Sequence, residues 1–337
     1  MTRLITLVFL SMLVAGCERP DPPAPSVADD PALDADLQRL AAAFEGEAEG
    51  PRRKLLVSAR GFRESIEGLL HDPDEERLET ARNAWSALYA NWNRARVVIG
   101  VGAATDPRLQ AALERTDPLP IMPGYVDGLS LWPDSGIVHD VTVVLDRDSL
   151  LAQQDVTAEG EASLGFQVIR FLLFGEPDAL RPLADLAPAE VAADSDLSGT
   201  ELPANRRRTY LDAASALLAE DLAQLASHEQ APHGRLLAAV LADTLAEASQ
   251  RLALVDALED AGDPAAGDFL DPASREIARS NLEAALAPWF RGEHADALLA
   301  SWAQIAPAFA RLFDEPAENH AALAELLKGR PAPLRRQ

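Results

Sequence analysis

After the break Asp72-Pro73-Asp74, the run EERLETARNAWSALYANWNRARVVIG places apolar residues at spacings of three and four for about seven turns. Asp74 supplies a start signal, and the pattern predicts one long amphipathic helix that ends at Gly100. The same spacing recurs over 37–44, 53–70, 205–228, 234–260, 273–290, 295–313 and 317–328, with Pro288 and Pro307 marking kinks or ends. The only β-branched run, VTVVL at 141–145, is flanked by helical patterns. The chain is rich in Ala and Leu and poor in aromatics, which also favours helices, so the sequence predicts an all-α fold.

Two Pro-rich stretches interrupt the helices. One, 105–149, carries five prolines and little periodicity; the other, 178–203, is rich in Pro, Asp and Ala. Placing the boundary at the second predicts two helical bundles in series, residues 37–178 and 204–330, joined by a linker at 179–203. The short connection at Ala231-Pro232 predicts that 205–228 and 234–260 are antiparallel neighbours.

The first residues, MTRLITLVFLSMLVAGC, hold one early cation, Arg3, and an apolar run from Leu4 to Val14. That run is about half the roughly 20 residues a membrane span needs, so residues 1–16 are expected to be an export signal. The small residues before Cys17, the only cysteine, resemble a bacterial lipobox. Cys17 is then expected to be acylated and to anchor the protein in a membrane, and residues 17–36 to be a Pro- and Asp-rich disordered tether. Glu18, in place of an aspartate after the cysteine, favours the outer membrane over the inner, with the protein facing the periplasm. The net charge of −24 argues against nucleic acid as a partner, since binding there requires phosphate neutralisation by clustered Lys and Arg.

Two later stretches, LWPDSGIVHDVTVVL (131–145) and LGFQVIRFLLFGEP (164–177), together resemble the imelysin-like family. In that family a Trp-Pro-Asp element precedes a helix containing Gly-x-His-x-x-Glu, which ends in Leu-Leu-aromatic-Gly. Trp132-Pro133-Asp134, Gly165 and Phe171-Leu172-Leu173-Phe174-Gly175 match, and the helix bearing Trp85, Tyr89 and Trp92 is similar to the family's first aromatic helix. The likeness spans roughly residues 35–330. It implies an exported two-bundle helical protein tied to iron uptake, and peptidase chemistry has been attributed to family members.

The departures from the motif bear on the chemistry. Gln167 and Arg170 stand where the family has His and Glu. Three apart on a helix they share a face, but an amide is a weak neutral donor and a guanidinium has no lone pair for a cation. No metal or other cofactor is therefore expected at this helix. No His-Glu-x-x-His and no Gly-x-Ser-x-Gly occurs, and the six histidines never fall three or four residues apart. His139, next to Asp140, reads as a surface or capping histidine in preference to half of a metal site. The expectation is a protein without catalytic activity.

If the helices pack as the resemblance implies, Arg94 or Arg96 lies near Arg170, in a basic cleft that requires an anion. Asp134 or Asp140 could supply that carboxylate from within, or a small anionic ligand from outside. Arg94, Arg96, Trp132, Asp134, Gln167 and Arg170 form the candidate ligand-binding set, while Trp85, Tyr89 and Trp92 read as a core stripe. The function expected from the resemblance is a binding component of iron uptake that acts with a transport partner. The rival readings are a protein-interaction component of an envelope complex, with a nonpolar or acidic docking face, and a metallopeptidase-like protein.

Overall fold

The computed structural model describes residues 31–154, 160–192, 198–258 and 270–290, with 294, 296–298 and 301. The expected export signal, Cys17, most of the helix expected over 295–313 and all of 317–328 lie outside the described residues. The described chain is all-α apart from one minimal hairpin.

Helix α1 runs unbroken from Pro31 to His71, so residues 31–36, expected to belong to the tether, are its first turns. The gap between the 37–44 and 53–70 patterns is helical as well, despite Gly50 and Pro51. The reason lies in register. Buried Leu33, Leu37, Leu40, Phe44 and Ala48 continue as Leu55, Ala59, Phe62, Ile66 and Leu69 at the same three-four spacing, so one apolar stripe carries across the proline.

Helix α2, Glu75–Ala103, starts where Asp74 accepts a hydrogen bond from the Arg77 backbone N–H at 2.7 Å, with Glu75 and Glu76 in the first turn favouring the positive helix end. The Pro-rich region contains α3 (Pro107–Thr116), opened by Asp106 and Pro107, and the short helices α4 (Pro123–Val126) and α5 (Arg147–Ala152). Residues 141–145 form a turn and irregular chain, not a strand. Helix α6 is Phe166–Phe174; it is followed by an antiparallel pairing of β1 (Gly175–Glu176) with β2 (Ala179–Leu180). Helices α7 (Pro203–Ser227), α8 (Gly234–Ala257) and α9 (Pro272–Phe290) complete the order.

Two apolar cores organise these elements. The first gathers the C-terminal half of α1, most of α2, α3, α6 and α7, with Ala278 and Leu282 of α9. The second gathers the N-terminal half of α1, Val97, Val98 and Val101 of α2, most of α8, and Leu286 and Trp289 of α9. The chain does not pass between cores at 179–203. That segment is fastened to the first core through buried Arg181 and Leu186, and Asn205 ties it down by accepting from the Ala189 N–H and donating to the Ala189 and Gly199 carbonyls. The passage comes at 228–233. Helix α7 packs on α1 and α3, whereas α8 packs on α9, α2 and α1, so the expected α7–α8 pairing is not formed. A short connection fixes distance in sequence, but the apolar face of each helix selects its core.

Candidate functional site

Helix α6 is framed by glycines for steric reasons. Gly165 has φ of +99°, and a Cβ there would lie 2.6 Å from the Arg115 carbonyl; Gly175 closes the helix at φ +73°. Between them, Phe166 packs against Trp85, Tyr89 and Trp92, all buried, and the Trp85 indole N–H donates to the Phe166 carbonyl at 3.0 Å. Nearer the α2 start, Arg82 donates to the Leu173 carbonyl at 3.0 and 3.2 Å and to the Arg181 carbonyl at 2.6 Å. Helix α6 thus runs antiparallel along the first half of α2.

This placement decides what surrounds the two motif positions. Arg170 is ion-paired with buried Asp271, donates to the Gly175 carbonyl at 3.3 Å, and lies 4.9 Å above the Phe174 ring. Burial lowers the proton affinity of its guanidinium and Asp271 opposes that effect. Asp271 also accepts, through Oδ1, from the backbone N–H groups of Ala273 and Ser274 at the head of α9. The carboxylate partner is therefore Asp271, and not Asp134 or Asp140. Gln167 is 1 % exposed, and neither its amide oxygen nor its amide nitrogen has a hydrogen-bond partner.

Arg94 and Arg96 do not face Arg170, whose cationic neighbour is Arg82. Arg94 donates to Asn281 Oδ1 at 2.5 Å, and Arg96 meets Glu247 at 2.8 Å while lying 5.6 Å over Trp92. Beside them Arg251 pairs with buried Asp117, which also accepts from the Trp92 indole N–H at 3.1 Å. Residue 82 sits about three turns before residues 94 and 96 on α2, and the end of α6 that carries Arg170 lies beside residue 82. Each arginine of the expected cleft thus has its own internal partner.

Trp132 and Asp134 belong to a different region, the loop between α4 and α5. Trp132 is 54 % exposed, and the Asp134 side chain 96 %. Behind them is a cluster that the sequence reading did not single out. Fully buried Asp127 accepts from Arg207 Nε at 2.6 Å and Nη2 at 3.0 Å, and pairs with Arg181 at 2.9 Å. His139 Nε2 is 3.4 Å from Asp127 Oδ1, within reach of its charge but off the line of a hydrogen bond, and His139 Nδ1 is 4.0 Å from Asp134. His139 is thus half-enclosed between two acids. Burial alone would push the Asp127 carboxyl up, but His139, Arg207 and Arg181 hold it well below the usual carboxylate range. The adjacent Arg206 donates to four carbonyls, those of Val138 (2.8 Å), Ile137 (3.0 Å), Asp140 (2.7 Å) and Val143 (2.9 Å). The run Arg206-Arg207-Arg208 in so acidic a chain was the available signal for this cluster. Over it opens a pocket of about 320 Å³, whose lining includes Tyr125, Asp134, His139, Asp140 and Gln153.

The donors on α6 do not fit a metal ion. Gln167 offers one neutral oxygen and Arg170 none, and among the described residues no group of three or more His, Cys, Asp or Glu side chains is arranged to hold one. In comparisons with known proteins, the family model described as Imelysin, carrying the peptidase label M75, matches residues 51–330. No curated protein matches the chain.

Proposed function

We propose, from the premise that the chain belongs to the imelysin family, that it is a non-catalytic binding component of the cell envelope serving iron acquisition through a protein partner. The observation that carries the non-catalytic reading is the state of the two motif positions. A buried amide stands at Gln167, and a cation neutralised by Asp271 at Arg170, so neither can activate water through a bound ion. The peptidase label describes the family, and hydrolysis would require donors that α6 does not offer.

The pairing of Arg96 with Glu247 and of Arg170 with Asp271 speaks against a small anionic ligand at the cleft and in favour of a partner engaged at the surface. The iron link rests on the family resemblance. Lipid attachment at Cys17 and an outer-membrane, periplasm-facing location rest on the lipobox-like LVAGC and on Glu18.

The test uses purified full-length protein. Casein and peptide hydrolysis, measured with and without added zinc or iron, is expected to stay at the buffer rate, and metal content by mass spectrometry to stay far below one ion per chain. Hydrolysis abolished by a chelator overturns the non-catalytic reading. Protein abundance that ignores iron starvation removes the iron assignment, and a Cys17→Ser variant still found in the membrane fraction removes the lipid anchor.

A further inference from the structure

The loop between α4 and α5 exposes Leu131, Trp132, Val141 and Val144, four large apolar side chains within fourteen residues. The same loop lines the pocket that carries the carboxylates of Asp134 and Asp140. Asp140 accepts from the Thr142 backbone N–H at 2.9 Å and hydroxyl at 2.6 Å, which fixes its direction, and Asp134 lies 4.0 Å from the His139 ring.

The backbone beneath is held rigidly. Arg206 grips four of its carbonyls, Asp127 locks it to Arg207 and Arg181, and Glu176 of the hairpin accepts from the Ser130 backbone N–H at 2.7 Å and hydroxyl at 2.6 Å. An exposed tryptophan on a preset loop, flanked by aliphatics, has the character of an interface anchor, because little ordering entropy is lost when it is covered. The charge of the pocket selects among occupants. An anionic lipid surface is repelled by Asp134, Asp140 and a chain of net charge −24, and a second copy brings the same acids.

We propose that this face docks a segment of a partner protein in which a Lys or Arg side chain enters the pocket lined by Asp134 and Asp140, while apolar neighbours pack on Leu131, Trp132 and Val144. The inference rests on the binding reading above and adds the partner's chemistry.

The probe is a blocked five-residue peptide alternating leucine with lysine and arginine, and its control carries glutamate at the basic positions. Each is titrated into the full chain and followed by tryptophan fluorescence, with Trp132→Phe assigning the signal. The basic peptide is expected to saturate and the acidic one not to bind. The double variant Asp134→Asn/Asp140→Asn, with an unchanged urea midpoint, is expected to weaken binding at least tenfold. The absence of saturable binding, equal binding of both peptides, or full binding by the double variant overturns the proposal. So does Trp132-dependent dimerisation in sedimentation, or Trp132-dependent co-sedimentation with phosphatidylglycerol vesicles. Mass spectrometry of the peptide separates the two levels: cleavage sinks the non-catalytic reading, whereas intact but unbound peptide sinks only this one.

Discussion

Arg170 and Arg206 are both buried guanidinium groups, yet they serve opposite ends. Arg170, on the motif helix, spends its charge on one buried acid just before α9 and helps to close the interior. Arg206 has no carboxylate within ion-pair distance among the described residues; it spends its donors on loop carbonyls and thereby stiffens a surface that displays apolar side chains and the carboxylates of Asp134 and Asp140. The polar residues of α6 serve the fold, and those under the α4–α5 loop serve presentation.

The contrast can be broken by substitution. The largest effect is expected from Asp127→Asn, which leaves buried Arg207 without its counter-charge and buried Arg181 with only the half-exposed Asp185; a loss of roughly 3–5 kcal/mol in urea denaturation is expected for removing one partner of such a cluster. The same carboxyl sets a pH dependence. Its folded-state value lies below the ordinary 3.8, so its contribution is complete above that value and is lost as the pH falls below it towards the folded value. The acid-side decline in the urea midpoint of the native chain below about pH 4 is therefore expected to be shallower in Asp127→Asn.

Arg206→Ala comes next. It strands four carbonyls that now share one donor group and is expected to cost about 2–4 kcal/mol. It is also expected to raise acrylamide quenching of Trp132 as the loop loosens. Gln167→Leu has the opposite sign: removing a buried amide with no partner is expected to leave the protein as stable as before, or about 1–2 kcal/mol more stable, in thermal unfolding. A clear loss of stability there would mean that Gln167 does have a partner. The smallest effect is expected from Trp132→Ala, within about 0.5 kcal/mol in the same assay, since the indole is more than half exposed. A large destabilisation would show that Trp132 belongs to the core and not to a face.

Much of the helical architecture was legible because three-four periodicity is a local property. Helices α2, α7, α8 and α9 lie close to their expected ranges, and the Gly165–Gly175 frame was readable because those two backbone positions admit only glycine. Non-local facts were not legible. Nothing in the local pattern of α6 announces that Asp271 reaches Arg170, or that α7 turns its apolar face to the first core while α8 joins the second. At Gly50-Pro51 a local breaker signal gave way to a stripe that stayed in register on both sides. The candidate set split for a similar reason: Arg96, Gln167 and Arg170 are interior, Arg94 is an exposed side chain on α2, and Trp132 and Asp134 are on the surface of a separate loop whose path the local pattern does not announce.

Helix α1 also has a mechanical consequence. At about 1.5 Å per residue its 41 residues make a strut of about 60 Å, seated along one stripe in both cores. A force applied at Pro31 enters the molecule in shear along that stripe. The load is then shared by every buried contact from Leu33 to Leu69, and no single contact has to yield first.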